Sequence, residues 1–111
     1  MTVAEPPTAP GPFAVECAEL DGRLLLRLAG ELDSDAAVEL HRVVDELAVP
    51  GDTVLDLSHL TFVDSSGLGC LFRLQQRVAD AGGLLEAHGA CPQVRAAIQL
   101  VQLNRVMALL D

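Results

Sequence analysis

The string Asp64-Ser65-Ser66-Gly67-Leu68-Gly69 places two adjacent hydroxyls between an apolar run and an amphipathic one, at a strand-to-helix turn where a side chain projects from a sheet edge. A serine there can cap the helix, act as a nucleophile, or accept a phosphate. Capping by Asp64 or Ser65 contributes about 1 kcal/mol, and capping preferences alone generate strings of this kind. The glycines are harder to account for. Gly67 and Gly69 sit in or next to the first helical turn, where each costs up to about 1 kcal/mol relative to Ala. Glycine belongs there when the backbone needs an unusual conformation or when another surface must come close.

Nucleophilic catalysis requires a base and a group that orients it. His59 lies upstream of Ser65, but the turn is not a Gly-x-Ser-x-Gly elbow and no Asp-His pair stands at an informative spacing. No catalytic residue is expected, and the chain does not read as an enzyme. A phosphate cradle built on Gly67 and Gly69 would need the Lys-Ser/Thr pair or the full glycine spacing of a nucleotide loop. Glu31, Asp33 and Asp35 lack EF-hand spacing, so they read as capping and solvated residues and not as a divalent-ion site. His41 faces solvent by its spacing, and His88 falls in a strand-end loop. No metal or cofactor is expected.

Phosphorylation has a clearer consequence. A phosphate on Ser65 adds about −1.5 to −2 charges at pH 7 beside Asp64. The chain already carries sixteen acidic against seven Lys and Arg residues, a formal net charge of −9. An apolar or acidic partner face docked on the turn would be lost by repulsion and desolvation, while the helix N-terminus tolerates the added anion. The same acidity repels nucleic acid and the anionic face of a membrane, so direct nucleic-acid binding is not expected. No apolar run approaches the roughly 20 residues that cross a bilayer, and Met1 to Pro12 lacks the features of a signal peptide. A cytoplasmic location without membrane insertion is expected. Cys17, Cys70 and Cys91 are odd in number and widely spaced, and read as reduced, mostly buried thiols.

A chain of 111 residues supplies one core and one domain. Residues 1–12, with Pro6, Pro7, Pro10 and Pro12 among small residues, read as a flexible tail, and residues 13–111 as the domain. Phe13, Val15 and Cys17 alternate with polar or small residues, and after Asp21-Gly22 comes Leu24 to Leu28, a hairpin pattern that Gly30 breaks. From Asp33 or Ser34 the spacing of Ala37, Leu40, Val44 and Leu47 predicts a helix stopped by Pro50-Gly51. Val54 to Leu57 is a short buried strand, and the helix before it is long enough to be its parallel crossover.

A second helix follows the Asp64 turn, with Leu68, Leu71, Phe72, Gln75 and Ala79 as its stripe and Gly82-Gly83 as its end. Leu84 to Ala87 is a strand. Pro92 opens a third helix whose Val94, Ala97, Ile98 and Val101 share a face. Val106 to Leu110 is an edge strand or the close of that helix. Strands alternating with helices predict an α/β fold with right-handed crossovers.

The stretch from Val54 through Asp64-Ser65-Ser66-Gly67-Leu68-Gly69, preceded by Gly30-Glu31-Leu32-Asp33, resembles the STAS domain of bacterial anti-sigma factor antagonists. The likeness covers about Phe13 to Met107, and the two motifs stand at the family's usual separation. It implies a single STAS-like domain, with a mixed sheet of about four to five strands and three or four helices packed mainly on one face. It implies that Ser65 takes a phosphate from an anti-sigma factor that is also a serine kinase using ATP and magnesium. Ser66 matches the neighbouring hydroxyl, less often the acceptor. Glu31, Asp33, Asp64, Ser65, Ser66, Gly67, Leu68 and Gly69 are implied to form the partner-binding surface. The unphosphorylated protein binds the anti-sigma factor and frees the sigma factor, and a serine phosphatase resets the cycle; a homodimer is compatible with this scheme. Relatives usually continue beyond the third helix with a strand and a short helix, so the last helix is missing or compressed into Val106 to Leu110. STAS-like domains also serve as non-switching scaffold subunits of stress-signalling assemblies or of lipid-transport machines.

Overall fold

In the computed structural model, which describes residues 13–49 and 51–111, the alternating residues around Asp21-Gly22 form an antiparallel hairpin of β1 (Phe13–Leu20) and β2 (Arg23–Leu32). The expected tail at 1–12 and the stop at Pro50 lie outside the described residues. Both turn residues have positive φ, 53° at Asp21 and 75° at Gly22, the twist a two-residue hairpin needs and the reason an Asp-Gly pair stands there. Val15 faces Leu28 and Cys17 faces Leu26 across the pair, so one face of the hairpin is apolar.

The chain then winds through α1 (Ser34–Glu46), β3 (Thr53–Val63), α2 (Ser65–Asp80), β4 (Leu85–His88), α3 (Pro92–Leu100), a 3-10 turn (Leu103–Arg105) and β5 (Ala108–Leu110). The five strands lie in sequence order, with β2 to β5 mutually parallel. The three crossovers step the same way across the sheet, and right-handed connections therefore put the three helices on one face. Leu26, Leu28, Leu55, Leu57 and Ala87 from the sheet meet Leu40, Val44, Leu71, Leu74, Val78 and Ile98 from the helices in a core from which solvent is excluded. The mixed α/β sheet is the one the sequence predicts.

Several elements differ from their expected bounds. Gly30 does not end β2: the strand runs on to Leu32 through two register shifts, and Gly30 absorbs the irregularity with φ +96°. β3 is not the short Val54 to Leu57 segment but extends to Val63, because Leu60 and Val63 stay buried beyond the exposed Ser58 and His59. The irregularity in β2 and β3 hides a continuous strand from a period-two reading. The buried stripe of α2 is Gly67, Cys70, Leu71, Leu74 and Val78, whereas Phe72 is 46% exposed. On α3 only Val94 and Ile98 are buried, and Val101 lies past the helix end, mostly open to solvent. His88 ends β4 instead of lying in a loop, and His41 is half-buried. The segment Val106 to Leu110 holds the edge strand β5, not a compressed helix.

Helices α1 and α2 are tied together at the end away from the turn. The Arg77 guanidinium donates to the carbonyl oxygens of Val44 and, at 2.8 Å, Leu47, satisfying acceptors at the end of α1. Arg73 pairs with Asp45 at 2.7 Å. No helix among the described residues is long and apolar enough to cross a membrane.

The sheet face without helices carries Arg27, Asp56 and Glu16 side by side across β1, β2 and β3. Burial alone would raise the Asp56 carboxyl, but hydrogen bonds from the Ser58 hydroxyl (2.6 Å) and backbone N–H (2.9 Å), together with Arg27 (3.0 Å), hold it below the ordinary carboxylate value. A depressed folded-state pKa stabilises the fold above the unfolded value of 3.8 and loses that contribution as pH falls through the folded value. Asp56→Asn should therefore lower stability by about 1 kcal/mol at pH 7, and urea titrations should find the gap between variant and wild type closing as pH drops below 3.8.

Candidate functional site

The ends of β2 and β3 bring the two sequence motifs into contact. Leu32 lies beside Val63 in the parallel register, and the Asp64 N–H donates to the Leu32 carbonyl at 3.2 Å. Each strand turns into a helix at the next residue, and each helix is capped by an aspartate. The Asp33 carboxylate accepts from the Ala36 N–H at 2.9 Å, and the Asp64 carboxylate accepts from the Gly67 N–H at 3.1 Å. The two helix N-termini thus open side by side at one end of the sheet.

Because Asp64 is the cap, Ser65 and Ser66 are the first two residues of α2. Both are exposed, and among the described residues neither hydroxyl forms a hydrogen bond with the protein. The capping role that either Asp64 or Ser65 could have filled belongs to Asp64 alone, which leaves the Ser65 oxygen unengaged. Glu31 is exposed at the end of β2, and Asp33 is half-buried by its capping bond.

The two glycines have different reasons. A Cβ on Gly67 would lie 2.6 Å from the Leu32 side chain, 2.7 Å from the Leu32 carbonyl oxygen and 2.7 Å from Val63. The carbonyl is strand backbone and cannot step aside, so only glycine lets α2 begin this close to β2. A Cβ on Gly69 meets nothing within 4 Å. No contact within the described fold requires glycine there.

Around the turn runs a shallow apolar groove lined by Ser65, Leu68, Gly69 and Phe72 of α2 with Val101 and Leu103 from the segment after α3. Phe72, Val101 and Leu103 were not among the expected site residues. On α2 the buried stripe is Gly67, Cys70, Leu71, Leu74 and Val78, which leaves Leu68, Phe72, Gln75 and Ala79 on an adjacent face; nothing in the sequence pattern marks Val101 or Leu103. Beneath the helix Cys70 donates to the Ala37 carbonyl at 3.3 Å, and burial pushes its thiol up to about 11. Cys17 and Cys91 are only half-buried, and all three thiols are free.

Comparison with known proteins supplies an independent reading. The family described as Mlab, STAS domain, matches residues 15–111. The chain is similar to an anti-sigma F factor antagonist of Paenibacillus polymyxa, 30% identical over 81% of this chain and 80% of that protein. It is also similar to the intermembrane phospholipid transport system binding protein MlaB of Escherichia coli, 35% identical over 70% of this chain and 79% of that protein. Among solved structures, an anti-sigma factor antagonist from Mycobacterium paratuberculosis superposes with a TM-score of 0.78 at 25% identity, covering 93% of this chain and 89% of that one.

The contrast between the glycines is measurable. Gly67→Ala should destabilise the fold by about 1–2 kcal/mol, since overpacking costs about 1–3 kcal/mol and the helix-propensity gain returns at most about 1 kcal/mol. Gly69→Ala should raise stability by up to about 1 kcal/mol. Thermal melts of the two variants should move in opposite directions.

Proposed function

The chain belongs to the STAS domain family, and from that premise we propose that it is an anti-sigma factor antagonist switched by phosphorylation of Ser65. The observation that carries the reading is the unengaged, exposed Ser65 hydroxyl at the first position of α2, with Asp64 already doing the capping. In the unmodified state the turn and the surface around it bind an anti-sigma factor that is also a serine kinase, and the sigma factor is released. The kinase transfers the γ-phosphoryl group of ATP to the Ser65 oxygen, leaving ADP, and a serine phosphatase hydrolyses the ester to reset the cycle. The protein is ligand and substrate in this scheme, and the catalytic groups belong to its partners.

Charge and geometry support control at this position. The phosphate would sit at a helix N-terminus, where exposed N–H groups and the helix dipole favour an anion, so the domain keeps its fold. It would also sit on the rim of an apolar groove and next to Asp64. A partner pressed against that groove would have to bury a group carrying close to two negative charges, and binding would be lost. Glu31, Asp33, Ser66, Gly67, Leu68 and Gly69 belong to the same surface in this reading, Gly67 by letting α2 approach β2 and the others by facing the partner.

The similarity to MlaB supports a second reading, a subunit of a lipid-transport assembly that binds through the same end of the sheet without a phosphorylation cycle. A pull-down from lysate of the source organism distinguishes the two: a histidine-kinase-like ATPase is expected for the antagonist, transporter components for the scaffold. Incubation with the captured ATPase and ATP should place one phosphate on Ser65, as read by mass spectrometry of the digested protein, and Ser65→Ala should take none while still binding. Ser65→Asp should bind at least several-fold more weakly by calorimetry. Phosphate appearing on Ser66, or equal affinity for the Asp variant, would contradict the assignment.

A further inference from the structure

The two edges of the sheet are not alike. β5 closes one side with three residues, Ala108–Leu110, too short to template another strand. β1 closes the other with eight, Phe13–Leu20, paired to β2 at every position without a bulge and containing no proline. Long, regular edges are what natural sheets avoid, because their unpaired N–H and C=O groups accept a further strand. The hairpin shows which groups those are. Leu20 and Arg23 close a two-residue loop and so form a hydrogen-bonded pair, and bonded pairs alternate along an antiparallel ladder. The Leu24 N–H, which donates to the Asp52 carbonyl at 3.2 Å on the other side of β2, fits that alternation. Phe13, Val15, Cys17 and Glu19 accordingly turn their backbone groups away from β2, and among the described residues nothing pairs with them.

The side chains on this edge lack cover as well. Phe13, Val15 and Cys17 lie on the helix side of the sheet and pack on the margin of the core, yet they stay half-buried because the helices sit chiefly over β2, β3 and β4. The strand is complementary to itself in one register. Around a twofold axis perpendicular to the sheet, β1 can pair antiparallel with a second copy of β1 about any central residue, but the charges discriminate. Centring on Glu16 sets two carboxylates face to face, which is destabilising. Centring on Cys17 or Ala18 sets Glu19 against Val15 or Cys17 of the other copy. Centring on Val15 pairs Val15 with Val15 and Phe13 with Cys17 in an apolar row, and Glu19 falls outside the paired segment. Glu16 then stands opposite Ala14 on the helix-free face, beside Arg27 of its own chain at 4.0 Å. We propose that two copies of this chain associate through Phe13–Cys17 in the Val15-centred register, joining their five-stranded sheets into one with all helices on the same side. The surface belongs to a different element from the Ser65 turn, and the proposal does not depend on the phosphorylation reading.

A seam of one strand pair is small, and interfaces of that class are weak, so sedimentation velocity of the full chain is run from about 10 to 500 µM. Wild type should pass from monomer to dimer across that range. Val15→Lys and Val15→Glu each set like charges opposite one another on the twofold axis, and each variant alone should associate at least about tenfold more weakly. An equimolar mixture of the two variants places Lys against Glu and should recover the dimer, a rescue that general damage to β1 would not give. Hydrogen exchange on the unmutated chain checks the seam without any substitution, and decides the matter if a variant fails to fold. The Val15 and Cys17 amides point outward, so their exchange should slow as the concentration rises. A wild type that stays monomeric at about 500 µM overturns the proposal. So does a dimer that Val15→Lys leaves intact, a mixture that associates no better than its components, or Val15 and Cys17 amides whose exchange ignores concentration.

Discussion

The approach of Gly67 to Leu32 is the contact on which the site depends. Two strands of a parallel sheet end at the same height only if their registers agree, and the irregular pairing around Gly30 delivers Leu32 beside Val63. Two helices can then start from adjacent points only if neither start carries a side chain that wedges them apart. Gly67 removes that side chain where a Cβ would strike the Leu32 carbonyl of β2. The Asp64 N–H to Leu32 carbonyl bond and the two aspartate caps fix what remains. This explains why two short motifs far apart in the sequence act as one: they are the two halves of a single contact.

The remainder of the domain holds that contact rigid. Arg77 binds the last carbonyls of α1 from the far end of α2, tying the two helices together away from the turn. The Leu-rich core beneath them has no polar side chain left without a hydrogen-bond partner among the described residues. With few aromatic residues, the core relies on many interdigitated Leu and Val side chains. On such a base an exposed hydroxyl can be modified without loosening anything underneath. Ser65 is well suited to this because its oxygen holds no structural bond that a phosphate would break.

Much of this was legible in the residues themselves. The hairpin turn at Asp21-Gly22, the cap before α1, the start of α2 and the proline at α3 each follow from local chemistry, and the order of strands and helices follows from their alternation. The misjudged features depend on tertiary contacts. Gly30 looks like a strand breaker in sequence because glycine usually weakens strands, yet here it accommodates a bulge in a strand that continues. Phe72 looks like core because it is large and apolar, and only the packing of Leu71, Leu74 and Val78 shows that the core side of α2 is already full. Gly67 and Gly69 are indistinguishable in sequence; the space around each tells them apart. That distinction matters for the proposed function, since one glycine shapes the surface and the other lies open on it.

The account holds that Ser65 controls a rigid docking surface, and that its phosphate acts on the partner and not on the fold. The most direct measurement is a comparison of backbone amide chemical shifts between the unmodified chain and the chain carrying phosphoserine at position 65. The account predicts changes confined to the turn and to the groove residues Leu68, Gly69, Phe72, Val101 and Leu103, with Leu32, the β2 and β3 pairing and α1 unmoved. Changes spreading through β2, β3 and α1 would show that the phosphate breaks the Gly67–Leu32 contact, and would contradict it.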